Sequence, residues 1–362
     1  GVIDLKAGHE TCSTIIYEYD SSINDYVQKG SAIKTGTMIE FSKDGTFVLI
    51  GAHIHNYSSL YFSSVYYYKY NTNTSDWEIK GPDDYVYNYN GGGGLLDISL
   101  DGSGKKFVVT IYRTSSELYE YNEENNTFTS TFVTGGNICK ISNDGNSVYG
   151  INDYTLLTIT NYDGTNWTEV FYGPINGTTV SGIGDAGLSI LSALKMNISS
   201  DGSILVLTGA RIRGVAGDPY VNRTIILEYD EINNEFNLKG NIIIHPYLGW
   251  WVSKSVDING DGTRIVVGDT GMIHYNDPTS QTEGKVEIYD YNSIGDNWEL
   301  QSTILGGGGE KDNFGDNVSI TLDGMKITGT NHNNYIGSNY NNKDYTANTK
   351  ITQDYSRIYN LE

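Results

Sequence analysis

Cysteine is nearly missing from this chain, which has only Cys12 and Cys139. A disulfide scaffold is thereby excluded as the basis of the fold, and the two residues fall in different repeats, about two units apart, where a closed ring would not set them side by side. Basic residues are also scarce: 23 Lys and Arg stand against 44 Asp and Glu, a formal net charge of -21. A nucleic-acid backbone would be repelled, so DNA and RNA are excluded as partners. No run of about 18 apolar residues occurs, so no transmembrane helix is expected. Gly1 stands where an initiator Met would be, which predicts a processed or truncated N-terminus. Also missing are a G-x-S-x-G elbow, a phosphate-cradling glycine loop and an H-E-x-x-H pair.

What the chain has instead is repetition. A small polar residue followed two positions later by Asp-Gly, with apolar alternation on both sides, recurs six times, at Asp44, Asp101, Asp144, Asp201, Asp261 and Asp323. Successive copies lie 57, 43, 57, 60 and 62 residues apart, the spacing of four-stranded propeller blades. The Asp261 repeat divides into SVDING, GTRIVVGD, GKVEIYDYN and NWELQSTILG, each alternating in the manner of a half-buried strand. Asp-Gly supplies the hairpin between the first two, since glycine tolerates the positive φ of a tight turn. Third strands end on an apolar-Tyr signature, as in SVYYYKYN, ELYEYN and VEIYDYN. Fourth strands begin with an aromatic, at Trp77, Phe128, Trp167, Phe236 and Trp298, which recurs once per repeat and so reads as packing between blades.

The expected fold is all-β, a single β-propeller over residues 1–362. Residues 2–34 supply second, third and fourth strands, and residues 317–360 supply first, second and third strands. Seven blades follow, with end blades 1–36 and 312–362 incomplete; in the alternative of six, the two ends share a closing blade. Hydrophobic residues at 38% suit sheets whose apolar surface lies between neighbours, and 30 Tyr add buried area.

Two stretches, DNFGDNVSITLDGMKITG (312–329) and WWVSKSVDINGDGTRIVVGD (250–269), resemble the FG-GAP repeat of integrin α-subunit-like propellers. WD-type and TolB-type repeats are more distantly similar. The FG-GAP resemblance implies a calcium loop of the form D-x-[DN]-x-D-G-x-x-D at one place. Asp257, Asn259, Asp261 and Gly262 match it, while Ile265 stands where the last acidic ligand belongs. No other cofactor is expected.

Eight N-x-Ser/Thr sequons lie at Asn56, Asn73, Asn125, Asn166, Asn176, Asn197, Asn222 and Asn317, about the number that an Asn-, Ser- and Thr-rich chain carries by chance. Asn197 and Asn317 fall in predicted first strands, where a glycan would be buried. Of six histidines only His53 and His55 are close together, without an acidic or thiol partner nearby in sequence.

Connections between strands two and three (51–62, 209–223, 269–284, 330–354) and between blades (81–95, 173–193, 241–252) are long, and in a propeller these emerge on one face. Long connections on a rigid scaffold are where recognition resides. Aromatic and polar residues meet there, giving as ligand-binding candidates Tyr85, Tyr87, Arg211, Arg213, Asp218, Tyr220, His245, Tyr247, Trp250, Trp251 and Tyr275. Trp250 and Trp251 would point to opposite sides if extended.

The favoured reading is a non-catalytic adhesion or recognition module, extracellular, on a cell surface or on a virion, that binds a glycan or a protein. A sialidase-like enzyme is the catalytic alternative, its arginine trio drawn from Arg113, Arg211, Arg213, Arg223, Arg264 and Arg357, of which the three that cluster belong to one loop. A third reading is a structural subunit that self-associates, its unfinished end blades completed by strand pairing with a neighbour.

Overall fold

The computed structural model describes residues 2–6, 13–23, 25–34, 36, 38–55, 61–81, 86–91, 95–111, 115–133, 138–152, 156–174, 189–190, 195–213, 221–233, 235–248, 254–269, 284–306, 314–331 and 356–360. These form seven antiparallel sheets in chain order. Six hold four or more strands, the four-stranded blades of a β-propeller, and the seventh holds three. The N-terminal sheet starts at the second-strand position with Val2–Lys6, and the C-terminal sheet ends at the third-strand position with Ser356–Asn360.

In the second, fourth, fifth and seventh sheets the hairpin between first and second strands is built the same way. Ser42 Oγ donates to Asp44 Oδ1 (2.7 Å) and accepts the N–H of Phe47 (2.9 Å), so hydroxyl and carboxylate together satisfy a turn whose glycine sits in the left-handed region. Ser142 with Asp144, Ser199 with Asp201 and Thr321 with Asp323 repeat the arrangement. The third sheet departs from it. There the N–H of Lys106 goes to Asp101 itself, Ser103 donates to Asp101, and the positive-φ residue is Gly104. Asp101 therefore occupies the position of Ser42, and Asp101-Gly102 is not the turn pair that the sequence phrase predicts.

Backbone bonds between these turns run around the axis: Lys43 to Gly102 (2.9 Å), Gly102 to Asn143 (2.8 Å), Asn143 to Ser200 (3.3 Å), Ser200 to Gly260 (2.9 Å) and Gly260 to Leu322 (2.8 Å). Side-chain identity plays no part in this belt, which links the second sheet to the seventh.

Apolar burial lies between sheets. Phe47, Leu49 and Tyr67 of the second pack on Ile98, Phe107 and Val109 of the third, and comparable clusters join each successive pair. The fourth-strand aromatics act in these seams, as expected. Phe128 meets Tyr67 edge-on at 5.5 Å and Phe236 meets Phe171 at 5.4 Å. Trp77 and Trp298 donate their indole N–H to the carbonyls of Lys29 (2.7 Å) and Lys239 (2.9 Å) on the preceding sheet. Both carbonyls precede a glycine, Gly30 (φ 75°) or Gly240 (φ 73°), at which the outer strand breaks into two pieces and makes room for the indole.

Candidate functional site

Two places gather polar side chains. The first is the axis. Pairing register sets Glu40, Ser99, Lys140, Asn197, Asp257 and Ser319 at one level of six successive innermost strands, each two residues before the turn residue equivalent to Ser42. Alternation then turns these side chains the same way in each strand. Lys140 Nζ lies 3.2 Å from Asp97 Oδ1 and 3.6 Å from Glu40 Oε1, bridging three sheets. Ser99 Oγ accepts the N–H of Ile141 on the next sheet (3.1 Å). Asp257 spans the other side: Asn197 Nδ2 donates to it (2.5 Å), as do Ser319 Oγ (3.1 Å) and the N–H groups of Ile258 and Ile320 (2.8 Å each).

Burial pushes the Glu40 carboxyl up to about 7, against the pull of Lys140 and with the push of Asp97. Burial likewise raises Asp257 to about 6, opposed by the N–H groups of Ile320 and Ile258. Lys140 is held above the ordinary lysine range, because its acidic neighbours outweigh its burial. The sequence reading missed this ring. Its members differ in type and agree only in position, and the sole signal was a polar residue at a fixed offset inside otherwise apolar first strands.

The second place is the seam between the fifth and sixth sheets, at the ends from which the long connections leave. His245 is 1% exposed there. Its Nε2 lies 2.9 Å from Thr224 Oγ1 and its Nδ1 3.7 Å from Glu287 Oε2. Glu287 also accepts from Tyr289 OH (3.1 Å) and from Lys285 Nζ. His245 is thus an interior residue of the seam, not a residue offered to a ligand on the outer surface; its strand, Ile243–Leu248, pairs with the third strand of its own sheet and lies against the sixth.

Of the other expected ligand-binding residues, Tyr87, Arg211, Arg213 and Tyr247 have their backbones in strands Tyr87–Gly91, Ile204–Arg213 and Ile243–Leu248. Tyr85, Asp218, Tyr220, Trp250, Trp251 and Tyr275 lie outside the described residues, as does Cys12. Cys139 is a buried free thiol 2.9 Å from Ser116 Oγ. Among the arginines, Arg264 opens its strand at the short-turn end, where its guanidinium grips Asp290 (2.5 and 2.8 Å) and the Gly324 carbonyl (2.9 Å). Arg211 and Arg213 have their backbones at the opposite end of their own strand.

The expected calcium ligands do not fit a shared cage. Both Asp257 oxygens are taken by donors of the fifth, sixth and seventh sheets, while the Asn259 and Asp261 oxygens are turned onto the N–H groups of Thr263 and Arg264 within the hairpin. Ile265, in place of the last acid, is fully buried. Hydrogen-bond donors here fill the role that a hard cation fills in a calcium loop.

No protein-family model matches the chain, and no curated protein matches it in sequence. Solved structures do. The β-propeller domain of Cps50 (Swd1) from Myceliophteria thermophila is 10% identical, with 83% of this chain and 95% of that one covered at a TM-score of 0.50. The likeness is one of fold. A protein provisionally named a 6-phosphogluconolactonase from Bacteroides fragilis is 12% identical over 83% of this chain and 92% of its own, at 0.43. A chain of the Mitotic Checkpoint Complex is 10% identical over 88% and 80%, at 0.47. These likenesses give the architecture alone. Among the described residues no helix is long and apolar enough to cross a membrane.

Proposed function

We propose that the protein is a non-catalytic recognition module, displayed outside a cell or on a virion, that holds a glycan or protein partner against the face from which its long connections leave. One observation carries this reading, the inequality of the two faces. Connections between third and fourth strands are uniformly short, at 21–24, 72–75, 123–126, 163–166, 231–234 and 293–296, and share their face with the tight Asp-Gly hairpins. On the other face the intervals range from 112–114 to 270–284 and 332–355. A scaffold that varies only on one side concentrates its specificity there. On this reading the repeat is an FG-GAP-like unit in which hydrogen-bond donors stand in place of calcium, and Tyr220, Trp250 and Tyr275 supply stacking surface.

Paired glycan and protein arrays test it. Wild-type protein should bind at least one ligand class, and Tyr220→Ala, Trp250→Ala and Tyr275→Ala should each weaken that binding severalfold without lowering thermal stability. Turnover of a fluorogenic glycoside would replace this reading with an enzymatic one. A mass by light scattering that rises with concentration, without ligand binding, would replace it with a self-assembling subunit.

A further inference from the structure

The eight sequons are equal in sequence and unequal in the fold. Asn73, Asn125 and Asn166 are all exposed, and all sit in the short connections between third and fourth strands, in the second, third and fourth sheets. Three consecutive blades thus carry an acceptor asparagine in the same connection on the same face, as the second, third and fourth residue of the turn respectively. Asn197 is different. It belongs to the axial ring, is half-buried, and gives its amide to Asp257 at 2.5 Å. Asn317, expected to be buried in a first strand, is exposed; the described residues of the sheet beyond it around the ring begin at the second-strand position. Asn56, Asn176 and Asn222 are not described at side-chain level.

We propose that Asn73, Asn125 and Asn166 are N-glycosylation sites forming an arc of glycans along the short-turn rim of the second, third and fourth sheets. In the reaction the Asn side-chain nitrogen displaces a lipid pyrophosphate from the anomeric carbon of a lipid-linked oligosaccharide. A new C–N bond replaces the sugar–phosphate bond, and the amide loses one proton. The fold then decides which modified chains survive. A bulky hydrophilic group at a solvent-facing turn tip costs the sheet nothing, whereas at Asn197 it would remove the amide from Asp257 and force sugar into the axis. The arc faces away from the long connections, so glycans there leave the proposed recognition surface open. It ends before the fifth and sixth sheets, where the turn tips carry Ile232 and Ile294, 95% and 97% exposed, in place of sequons.

The inference rests on the extracellular reading. Full-length chain secreted from a eukaryotic host should be mapped by peptide mass spectrometry after PNGase F, which converts each occupied Asn to Asp. Occupancy is expected at Asn73, Asn125 and Asn166 and none at Asn197. Asn73→Gln, Asn125→Gln and Asn166→Gln should each remove one glycan's mass, and Asn197→Gln none. Secreted protein bare at all three sites, or occupied at Asn197 to the same extent, overturns the proposal. The triple Asn→Gln variant, run on the arrays above, separates the two readings: loss of ligand binding by both forms counts against the recognition face, not against the arc.

Discussion

The ammonium of Lys326 stands 4.5 Å from the centroid of the Tyr19 ring, which joins the last sheet of the chain to the first. Lys106 of the third sheet and Tyr162 of the fourth have the same relationship at 4.6 Å. In both pairs the lysine opens a second strand and the tyrosine lies at the end of a third. The seam that closes the ring therefore repeats an internal one.

Tyr19→Ala should loosen that seam alone. An exposed cation–π contact contributes about 0.5–1 kcal/mol, so amide exchange in Ser13–Asp20 should quicken by about two- to fivefold. Exchange in the fourth sheet should not change. Equal protection in wild type and variant would show that the contact does not hold the ends together.

Gly240→Ala should be among the more damaging small substitutions. The backbone at φ 73° disfavours any side chain by about 1–2 kcal/mol, and the added Cβ would lie 2.9 Å from Trp298 Cδ1. Trp298→Phe removes the donor to the Lys239 carbonyl and should cost about 1–3 kcal/mol. Urea unfolding midpoints measure both; a neutral Gly240→Ala would refute the seat assigned to the indole.

Stability should peak in mildly acid solution. Glu40 and Asp257 have carboxyls raised to about 7 and about 6, above their ordinary values of 4.5 and 3.8, so the folded state binds their protons more tightly than the unfolded state does. That contribution is full below about pH 4 and is lost progressively as pH rises from there through 6 to 7. The turn carboxylates of Asp44, Asp144 and Asp201 shift the other way: burial pushes them up, but bonds from the turn hydroxyls and N–H groups outweigh it and leave them below 3.8. Their contribution is lost as pH falls through that range. Unfolding midpoints should therefore be highest near pH 4 to 4.5. Glu40→Gln with Asp257→Asn should flatten the limb above pH 5, and an unchanged limb would remove these two groups as its cause.

Calcium should leave the protein as it is. A site with micromolar affinity would add about 4 kcal/mol at millimolar calcium, a shift of several degrees in melting temperature. Because the Asp257, Asn259 and Asp261 oxygens are already engaged, scans with calcium and with chelator should coincide. A rise of several degrees would mean that the hairpin opens to take the ion.

The ring was legible because its turn needs a particular chemistry: hydroxyl, carboxylate and glycine at fixed offsets leave a trace in sequence, as at Ser42, Asp44 and Gly45. The turn of the third sheet misled because SLDGSG offers two candidate turn glycines, and the bond from Lys106 to Asp101 and the positive φ of Gly104 distinguish Gly104 from Gly102. The axial ring left almost no trace, since glutamate, serine, lysine, asparagine and aspartate all serve at one level as long as a neighbouring sheet supplies a partner. His245 was misplaced because a histidine beside Pro246 and Tyr247 reads as loop chemistry, whereas pairing continues through Leu248 and draws the imidazole inward.

The rim seats have a direction. The carbonyl that receives each indole belongs to the sheet already made, and the indole to the sheet that follows it in synthesis, from Lys29 to Trp77 and from Lys239 to Trp298. A chain emerging from the ribosome can thus lay each sheet onto a finished platform without waiting for residues still to come. The clasp between Lys326 and Tyr19, by contrast, requires both extremities at once, and until it forms the nascent molecule is an open arc.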